Sequence, residues 1–235
     1  MGRFDNLPWL TYDALSPLMM KKVACYLLLL PWLFSLAFGQ DASAPLPLDE
    51  RVLQFLGSQK GQWREENVTE ADGRFLYELI LKKGYTRALE IGTSTGHSGI
   101  WQAWALSKTG GFLITVEIEE FRQLTAVRNF RSSGLDGFVD ARLGDARKLI
   151  MELEGPFDFI FIDADKNWTL NYFKILMPKL VPGGCFAVHN VPRLGYMKGI
   201  RDFLKAVRSL DFMETTIETV AGGGISLSFK KRNPA

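Results

Sequence analysis

The sequence contains few of the residues that build disulfide frameworks or soft-ligand metal sites. It has two cysteines, Cys25 and Cys185, and two histidines, His97 and His189, among 235 residues. The cysteines lie in very different sequence contexts, so they support neither a disulfide framework nor a cysteine-based metal site. Two histidines are too few for a multi-histidine metal cage.

The chain also lacks a marked excess of charge. Its 28 Lys and Arg residues nearly balance its 26 Asp and Glu residues, and the net charge of +2 comes without a basic stripe. This composition gives no argument for nucleic-acid binding, so we expect no nucleic-acid partner. There is no internal repeat or low-complexity tract, and the length suits one sizeable α/β domain with an N-terminal appendage.

An uncharged apolar run, Val23–Phe38, lies near the N-terminus. Lys21-Lys22 precedes it and Ala37-Phe38-Gly39 ends it as a small-x-small cleavage pattern, which together predict a secretory signal peptide. The run is short for a spanning helix, but an uncleaved membrane anchor and a buried helix of the fold are the alternatives. We therefore predict a signal peptide or membrane anchor over residues 1–39, followed by a linker over residues 40–47.

From residue 48 onward, strand and helix patterns alternate along the chain, as in a doubly wound α/β fold. Short apolar runs predict strands at Arg87–Ile91, Phe112–Glu117, Val139–Leu143, Phe157–Asp163, Cys185–His189, Met213–Thr219 and Ser226–Lys230. Helices are predicted at Leu48–Leu56, Glu70–Lys83, Ser98–Ser107, Glu119–Ser133, Ala146–Leu153, Thr169–Leu180 and Tyr196–Ser209. The last two strands should form an antiparallel hairpin, and the others a mostly parallel sheet with helices on both faces.

Residues Glu90 to Gly96 form a glycine-punctuated turn between the first predicted strand and the next helix. Glycine lets the backbone bend sharply and lets a ligand approach it, while the helix directs its free N–H groups toward the turn. The spacing differs from G-x-G-x-x-G, so it disfavours a nicotinamide-dependent dehydrogenase. Glu-x-Gly-x-x-x-Gly instead resembles the first motif of Rossmann-like class I methyltransferases that use S-adenosylmethionine (SAM). We assign His97, in the first turn of that helix, no catalytic role.

Polar residues also end the second and third predicted strands, at the edge where ligands bind in such sheets. The Glu117 carboxylate can accept hydrogen bonds from both ribose hydroxyls of an adenosine-containing ligand, and its alternative is a solvated strand end. Asp145 and Ala146 can meet the adenine edge, and the alternative for Asp145 is a plain helix N-cap.

A further signal is the run Phe159–Lys166, in which an apolar strand leads into Asp163-Ala164-Asp165-Lys166, with His189-Asn190 after the next strand. Together with the glycine turn, this run resembles the small metal-dependent O-methyltransferases, the family of caffeoyl-CoA and catechol O-methyltransferases. The resemblance extends from about Val68 to Lys230. It implies a seven-stranded Rossmann-like class I methyltransferase fold over residues 48–235, SAM as the methyl donor, and a homodimer.

The resemblance also implies roles for individual residues. Lys166 and Asp163 match catalytic residues of the family, with Lys166 as the general base. Asp163 and Asn190 match ligands of a divalent cation, which would bind both vicinal hydroxyls of a catechol and lower their pKa. The predicted SAM-binding residues are Val68, Glu90, Gly92, Thr93, Ser98, Glu117, Asp145, Ala146 and Asp163.

His189 departs from the family pattern, which has aspartate before the metal-binding asparagine. We predict His189 either as a metal ligand or as a base in a site without metal. A neutral imidazole weakens affinity for magnesium or calcium and favours zinc, manganese, iron, nickel or no metal. The family's Gly-Asp-Gly near the C-terminus is Gly222-Gly223-Gly224 here, so an acidic group near the pocket is missing.

The sequence therefore predicts a SAM-dependent O-methyltransferase that acts on a small catechol-like or other hydroxylated aromatic acceptor. The alternative is an exported or anchored nucleoside-binding protein of the same fold that has lost methyl transfer. Export would separate the enzyme from SAM, which is made in the cytoplasm. A membrane anchor with the domain on the cytoplasmic face would resolve this conflict.

Overall fold

The computed structural model describes residues 46–64, 66–219 and 223–232. The predicted signal or anchor segment, residues 1–39, lies outside the described residues, as do residues 40–45 of the predicted linker. Among the residues that are described, no helix is both long and apolar enough to cross a membrane.

Helices and strands alternate from residue 48 to residue 230. The α-helices are α1 (Leu48–Ser58), α2 (Glu70–Lys83), α3 (His97–Thr109), α4 (Glu120–Ser133), α5 (Ala146–Glu152), α6 (Thr169–Leu176) and α7 (Lys198–Arg208). The strands are β1 (Arg87–Ile91), β2 (Phe112–Glu117), β3 (Val139–Leu143), β4 (Phe157–Ile162), β5 (Leu180–His189), β6 (Met213–Glu218) and β7 (Ile225–Lys230). Short 3₁₀ helices lie at Asp136–Phe138, Lys166–Trp168 and Met177–Lys179.

The strands form a seven-stranded sheet in the order β3-β2-β1-β4-β5-β7-β6. β7 pairs antiparallel with both β5 and β6, whereas the pairs among β1 to β5 are parallel. Strand order reverses between β1 and β4, and Ile91 at the end of β1 lies opposite Val116 and Ile162. The carboxyl ends of β1, β2 and β4 therefore meet at one edge, which is the ligand-binding position in open α/β sheets.

Helices cover both faces of the sheet. Alternate residues of each strand point to opposite sides, so each strand contributes to two cores. In β4, Phe159 and Phe161 belong to the core that includes residues of α1 to α4, and Ile160 and Ile162 belong to the core that includes residues of α5 to α7. All four side chains are fully buried. The predicted Rossmann-like fold, with its seven strands and its C-terminal antiparallel pair, is confirmed.

Strand β5 begins at Leu180, whereas the sequence predicted a start at Cys185. Leu180 pairs with Phe157, and the register then shifts before Cys185 pairs with Phe159. Gly183 has a φ of +87° at this irregularity, a conformation that glycine adopts without steric cost. The segment Pro182-Gly183-Gly184 is therefore a bulge-like irregularity inside the strand and not the turn that its composition predicts.

Candidate active site

A cavity opens at the edge of the sheet where β1, β2, β4 and β5 end. Its volume is about 800 Å³, which is in the range of sites for small organic ligands and cofactors. The predicted site residues that line it are Gly92, Glu117, Asp145, Ala146, Asp163, Lys166, His189 and Asn190. The predicted residues that do not line it are Val68, Glu90, Thr93 and Ser98.

Two glycines with left-handed backbone shape the turn after β1. Gly92 has a φ of +98°, and Gly96, the N-cap of α3, has a φ of +95°. The Gly92 N–H donates to the Val116 carbonyl oxygen at 3.0 Å, and an added Cβ on Gly92 would fall on the Asp163 carbonyl oxygen. The turn is thus packed between the ends of β2 and β4, and a side chain at position 92 does not fit there.

Glu90 supports this turn from behind and does not face the cavity. It is fully buried, and its carboxylate accepts hydrogen bonds from Thr115 Oγ1 (2.6 Å) and from Gln102 Nε2. Burial raises the pKa of Glu90 to about 7, against the opposing effect of hydrogen bonds from Ser98, Thr115 and Gln102. Thr93 joins the same cluster, because its Oγ1 lies 2.5 Å from Thr115 Oγ1.

His97, in the first turn of α3, has structural contacts on both ring nitrogens. Its Nδ1 lies 2.9 Å from the Val68 carbonyl oxygen, and Trp101 Nε1 donates to its Nε2 at 3.1 Å. The ring therefore donates at Nδ1 and accepts at Nε2, as a neutral imidazole does. Burial lowers the pKa of His97, and the ring stacks on Trp63 with centroids 4.3 Å apart. These contacts hold the His97 ring in place beside Val68, Trp101 and Trp63.

Glu117 presents its carboxylate on the cavity wall at the end of β2. Oε2 accepts a hydrogen bond from the Ser94 N–H at 2.7 Å, and Oε1 accepts from the N–H groups of Ile118 (2.9 Å) and Glu119 (3.0 Å). These backbone donors fix the orientation of the carboxylate, which has about four acceptor sites in all. Three of these sites are taken by backbone donors, so about one site, on Oε2, remains for a ligand hydroxyl.

Asp145 and Ala146 lie at the start of α5, on the cavity wall. Asp145 is the N-cap of α5, because its Oδ1 accepts from the Arg147 N–H at 2.9 Å. Its carboxylate also forms an ion pair with the Arg147 guanidinium at 2.9 Å. The helix-cap alternative from the sequence is therefore present, and it coexists with a position beside the cavity.

Four charged side chains form a continuous series from the cavity wall into α2. Lys166 Nζ donates to Asp163 Oδ1 at 2.7 Å, and His189 Nδ1 donates to Asp163 Oδ2 at 3.0 Å. On the other side of the ring, His189 Nε2 lies 3.4 Å from Asp72 Oδ2, an ion-pair distance without hydrogen-bond alignment. Asp72 is fully buried and His189 is 4% exposed. This series, Lys166–Asp163–His189–Asp72, is termed the charge chain below.

The members of the charge chain stabilise one another's charged forms. Burial favours a neutral Asp163, but Lys166 and His189 outweigh it and hold the pKa of Asp163 at about 2. Burial likewise opposes a charged His189, but Asp163 and Asp72 outweigh it and raise the pKa of His189 to about 9. Burial also disfavours the Asp72 carboxylate, yet the ion-pair contact with His189 and the hydrogen bonds from Thr69 lower its pKa. At neutral pH the charge chain therefore holds two carboxylates and two cations.

Asn190 follows β5 and packs against the loop that precedes β7. Its backbone has a φ of +61°, and its N–H donates to the Gly224 carbonyl oxygen at 2.8 Å. Within the described ranges, its buried Oδ1 has no hydrogen-bond partner. An added Cβ on Gly223 would fall on this oxygen, so the glycine at position 223 lets the loop approach Asn190.

These residues do not fit a divalent cation in this arrangement. Both oxygens of Asp163 are engaged by nitrogen donors, and both ring nitrogens of His189 face carboxylates. An imidazole protonated on both nitrogens has no lone pair for a metal, and Lys166 would repel a cation bound to Asp163. In the part of the chain that the structure describes, no group of three or more His, Cys, Asp or Glu residues could hold a metal ion.

The contributors to the site that were not predicted from the sequence include Asp72, Leu194 and Met197. Asp72 was expected only as a helix residue, although Thr69 and Asp72 have the three-residue spacing of a capping box. Leu194 and Met197 line the cavity from consecutive turns after β5. No local pattern assigns them there, because their position depends on how this loop folds back across the edge of the sheet.

Comparison with known proteins identifies relatives of the whole described domain. A family model described as O-methyltransferase matches residues 47–215, well over half of the chain. A catechol O-methyltransferase of Niastella koreensis is 38% identical over 133 residues, which cover 55% of this chain and 60% of that enzyme. A caffeoyl-CoA O-methyltransferase of Zea mays is 29% identical over 189 residues, which cover 72% of this chain and 71% of that enzyme. The match thus spans less than two thirds of the Niastella enzyme.

A solved structure agrees with these relatives. The O-methyltransferase from Bacillus cereus, in complex with SAH, is 30% identical to this chain with a TM-score of 0.68. The match covers 83% of this chain and 96% of the Bacillus chain. Fold, family model and relatives agree, and the chain belongs to the O-methyltransferase family.

Proposed function

We propose that this protein transfers the methyl group of SAM to a hydroxyl group of a small catechol-like or other hydroxylated aromatic acceptor. The observation that carries the proposal is the cavity that joins the Gly92 turn and Glu117 to the Asp163–Lys166 ion pair. Two relatives support the choice of donor and acceptor. The Bacillus structure holds SAH, and the Niastella relative is named a catechol O-methyltransferase.

The residues at the ends of β1, β2 and β3 support SAM binding. The Glu117 carboxylate, held by three backbone N–H groups, would accept a ribose hydroxyl at its remaining acceptor site on Oε2. Gly92 keeps the turn free of a side chain, and Asp145 and Ala146 would lie at the adenine edge. When bound, SAM supplies a sulfonium methyl group, whose S–C bond breaks with its electron pair returning to sulfur as the new O–C bond forms.

The residues around Lys166 support binding and deprotonation of the acceptor. An ammonium has three donors, and Lys166 Nζ bonds to Asp163 Oδ1, which leaves donors to hold the acceptor hydroxyl. Lys166 must first release its ammonium proton to solvent. The neutral Nζ then takes the proton of the acceptor hydroxyl, so that the oxygen becomes the nucleophile. Asp163 then stabilises the ammonium that results. Leu194 and Met197 offer apolar surface for the aromatic ring.

Replacement of Lys166 by alanine tests this mechanism. We expect Lys166→Ala to lower kcat with catechol by about 10²-fold or more, the usual size of a general-base contribution. The SAM Kd should stay nearly unchanged, because Lys166 lies at the acceptor end. The measurement is transfer of a radiolabelled methyl group from SAM to catechol, with SAM affinity determined by isothermal titration calorimetry. Wild-type turnover by Lys166→Ala would remove Lys166 as the base.

Glu117→Gln is the matched control at the other end of the cavity. It keeps the size of the side chain but makes a weaker acceptor, so we expect the SAM Kd to rise about tenfold. At saturating SAM its kcat should stay near that of the wild type. SAM binding by the wild-type protein without transfer to any hydroxylated aromatic would support the nucleoside-binding alternative instead.

A further inference from the structure

The charge chain lies where the family resemblance implied a divalent cation. We infer that this protein takes no divalent cation at Asp163 and Asn190, and that His189, backed by Asp72, holds Asp163 in place of a metal. His189 is then a positioning residue, because its ring nitrogens face the two carboxylates and it acts on the acceptor only through Asp163. Only the turnover part of the test rests on the proposed function.

Each carboxylate oxygen of Asp163 already accepts a hydrogen bond from a nitrogen donor. Oδ1 accepts from Lys166 Nζ at 2.7 Å, and Oδ2 accepts from His189 Nδ1 at 3.0 Å. The side chains of Lys166, Asp163 and His189 are 10%, 13% and 5% exposed, so solvent has little access to these contacts. A metal ion on either oxygen would have to share that oxygen with a charge-assisted hydrogen bond and would lie beside its nitrogen donor.

Asp72 fixes the other side of His189 from a different element of the fold. Its Oδ2 accepts from Thr69 Oγ1 at 2.7 Å in the capping box of α2 and lies 3.4 Å from His189 Nε2. A buried carboxylate is costly unless it is paired, and His189 is the side chain that faces Asp72. Rotation of His189 toward a metal would leave Asp72 buried without this partner, which is strongly destabilising.

The charge balance of the charge chain also disfavours a metal. Lys166 already balances the charge of Asp163 in an ion pair at 2.7 Å. A divalent cation would add two positive charges beside the Lys166 ammonium, in a buried place where their repulsion is weakly screened. Aspartate at position 189 would instead add a negative charge and supply a second oxygen ligand.

The first part of the test uses the full-length wild-type protein, with metal ions alone as probes. After treatment with EDTA and desalting, the protein is titrated with MnCl₂, MgCl₂ and ZnCl₂, and its metal content is measured after gel filtration. We expect less than about 0.1 metal ion per chain and turnover in EDTA within about twofold of the untreated value. Stoichiometric uptake that Asp163→Asn abolishes, or loss of turnover in EDTA that metal restores, would overturn the inference.

The second part uses a pair of variants that differ in one carboxylate. Asp72→Asn/His189→Asp removes the buried partner and places a second carboxylate beside Asp163 and Asn190, so we expect it to bind about one Mn²⁺ per chain. The control Asp72→Asn/His189→Asn has the same side-chain size and should bind none. Equal Tm values without metal would show that both variants are folded. If the folded aspartate variant also binds no Mn²⁺, His189 is not what excludes the cation and the inference fails.

Failure of the proposed function would be seen in different measurements from failure of the metal inference. A wild-type protein that neither binds SAM nor methylates an aromatic hydroxyl would contradict that function. The Mn²⁺ titrations require no turnover and no SAM, so they test the metal inference by themselves.

Discussion

At the scale of single residues, Gly92 affects both ends of the cavity, the end proposed to bind SAM and the end proposed to bind the acceptor. Its left-handed backbone places the turn after β1 directly against the Asp163 backbone, where an added Cβ would fall on the carbonyl oxygen. Asp163 in turn bonds to Lys166 and His189. A side chain at position 92 would therefore displace the turn that lines the proposed SAM site. It would also displace Asp163, which lies at the proposed acceptor site.

The variant Gly92→Ala should reveal this double constraint, with Gly84→Ala as its matched control. Gly84 has a φ of +66° but no atom within 4 Å of an added Cβ, so it isolates the backbone strain. We expect Gly84→Ala to lower the free energy of unfolding by about 1–2 kcal/mol, and Gly92→Ala to lower it by about 1–3 kcal/mol more. Urea denaturation measures both values. Equal losses in the two variants would contradict the packing argument.

At the scale of elements, α2 connects the stability of a helix end to the site. The Asp72 N–H donates to Thr69 Oγ1 at 3.2 Å, while Asp72 Oδ2 accepts from the Thr69 N–H and from Thr69 Oγ1. The same carboxylate faces His189 across the charge chain. The capping box therefore fixes the helix end and the orientation of a buried charge at once.

Thr69→Ala should be more damaging than an ordinary loss of a helix cap. It removes the acceptor for the Asp72 N–H and a donor to the buried carboxylate, so we expect a loss of about 2 kcal/mol in the free energy of unfolding. Thr69→Ser keeps the hydroxyl and should stay within about 0.5 kcal/mol of the wild type. Urea denaturation of the two variants is the measurement. The role given to the hydroxyl is wrong if serine and alanine cost the same.

Most elements could be predicted from the sequence because each strand is a short apolar run that ends at polar or glycine residues. β1, β2, β3 and α2 begin and end at the predicted residues. The start of β5 could not be predicted, because Pro182-Gly183-Gly184 has the composition of a turn and becomes a strand irregularity only when Leu180 pairs with Phe157. Tertiary pairing decides the structure of such a segment, and the local sequence does not.

Site residues could be predicted where they directly follow a strand. They could not be predicted where the direction of the side chain depends on tertiary packing. Gly92, Glu117 and Asp163 line the cavity as strand-end residues. Glu90 lies two residues after Ala88 in β1, so it points to the same face and is buried toward α3. Asp72 meets His189 only in the folded chain, where the first turn of α2 lies beside the end of β5, and no spacing in the sequence indicates that contact.

At the scale of the whole molecule, three buried titratable groups, Asp163, Glu90 and His189, set the dependence of stability on pH. The pKa of Asp163 falls from 3.8 to about 2, so its contribution is present above pH 3.8 and is lost as pH falls toward 2. The pKa of Glu90 rises from 4.5 to about 7, so its contribution is present below pH 4.5 and is lost as pH rises through 7. The pKa of His189 rises from 6.5 to about 9, so its contribution to stability is lost as pH rises between those two values.

Two predictions at this scale concern parts that the structure does not contain. The homodimer requires a second copy of the chain, and the signal peptide or membrane anchor falls on residues 1–39, outside the described residues. Both stay predictions from the sequence. Cell fractionation and N-terminal sequencing of the mature protein address the second of them.

The three titrations together place maximal stability in mildly acidic solution. We expect the free energy of unfolding to be highest between about pH 4 and 5 and to decline toward pH 9, because Glu90 and His189 both favour the protonated form. The shift of Glu90 corresponds to about 3 kcal/mol between pH 4.5 and 7. Urea denaturation at pH 5, 6, 7 and 8 measures the decline.

Glu90→Gln separates the two contributions, because the amide is neutral at every pH. Its free energy of unfolding should be nearly flat from pH 5 to 7. It should still fall between pH 7 and 9, where the native state keeps the His189 proton that the unfolded chain has released. Glu120→Gln, at an exposed position in the first turn of α4, is the control and should keep the wild-type slope. If Glu90→Gln and the wild type decline equally between pH 5 and 7, Glu90 does not carry the proton that its burial favours.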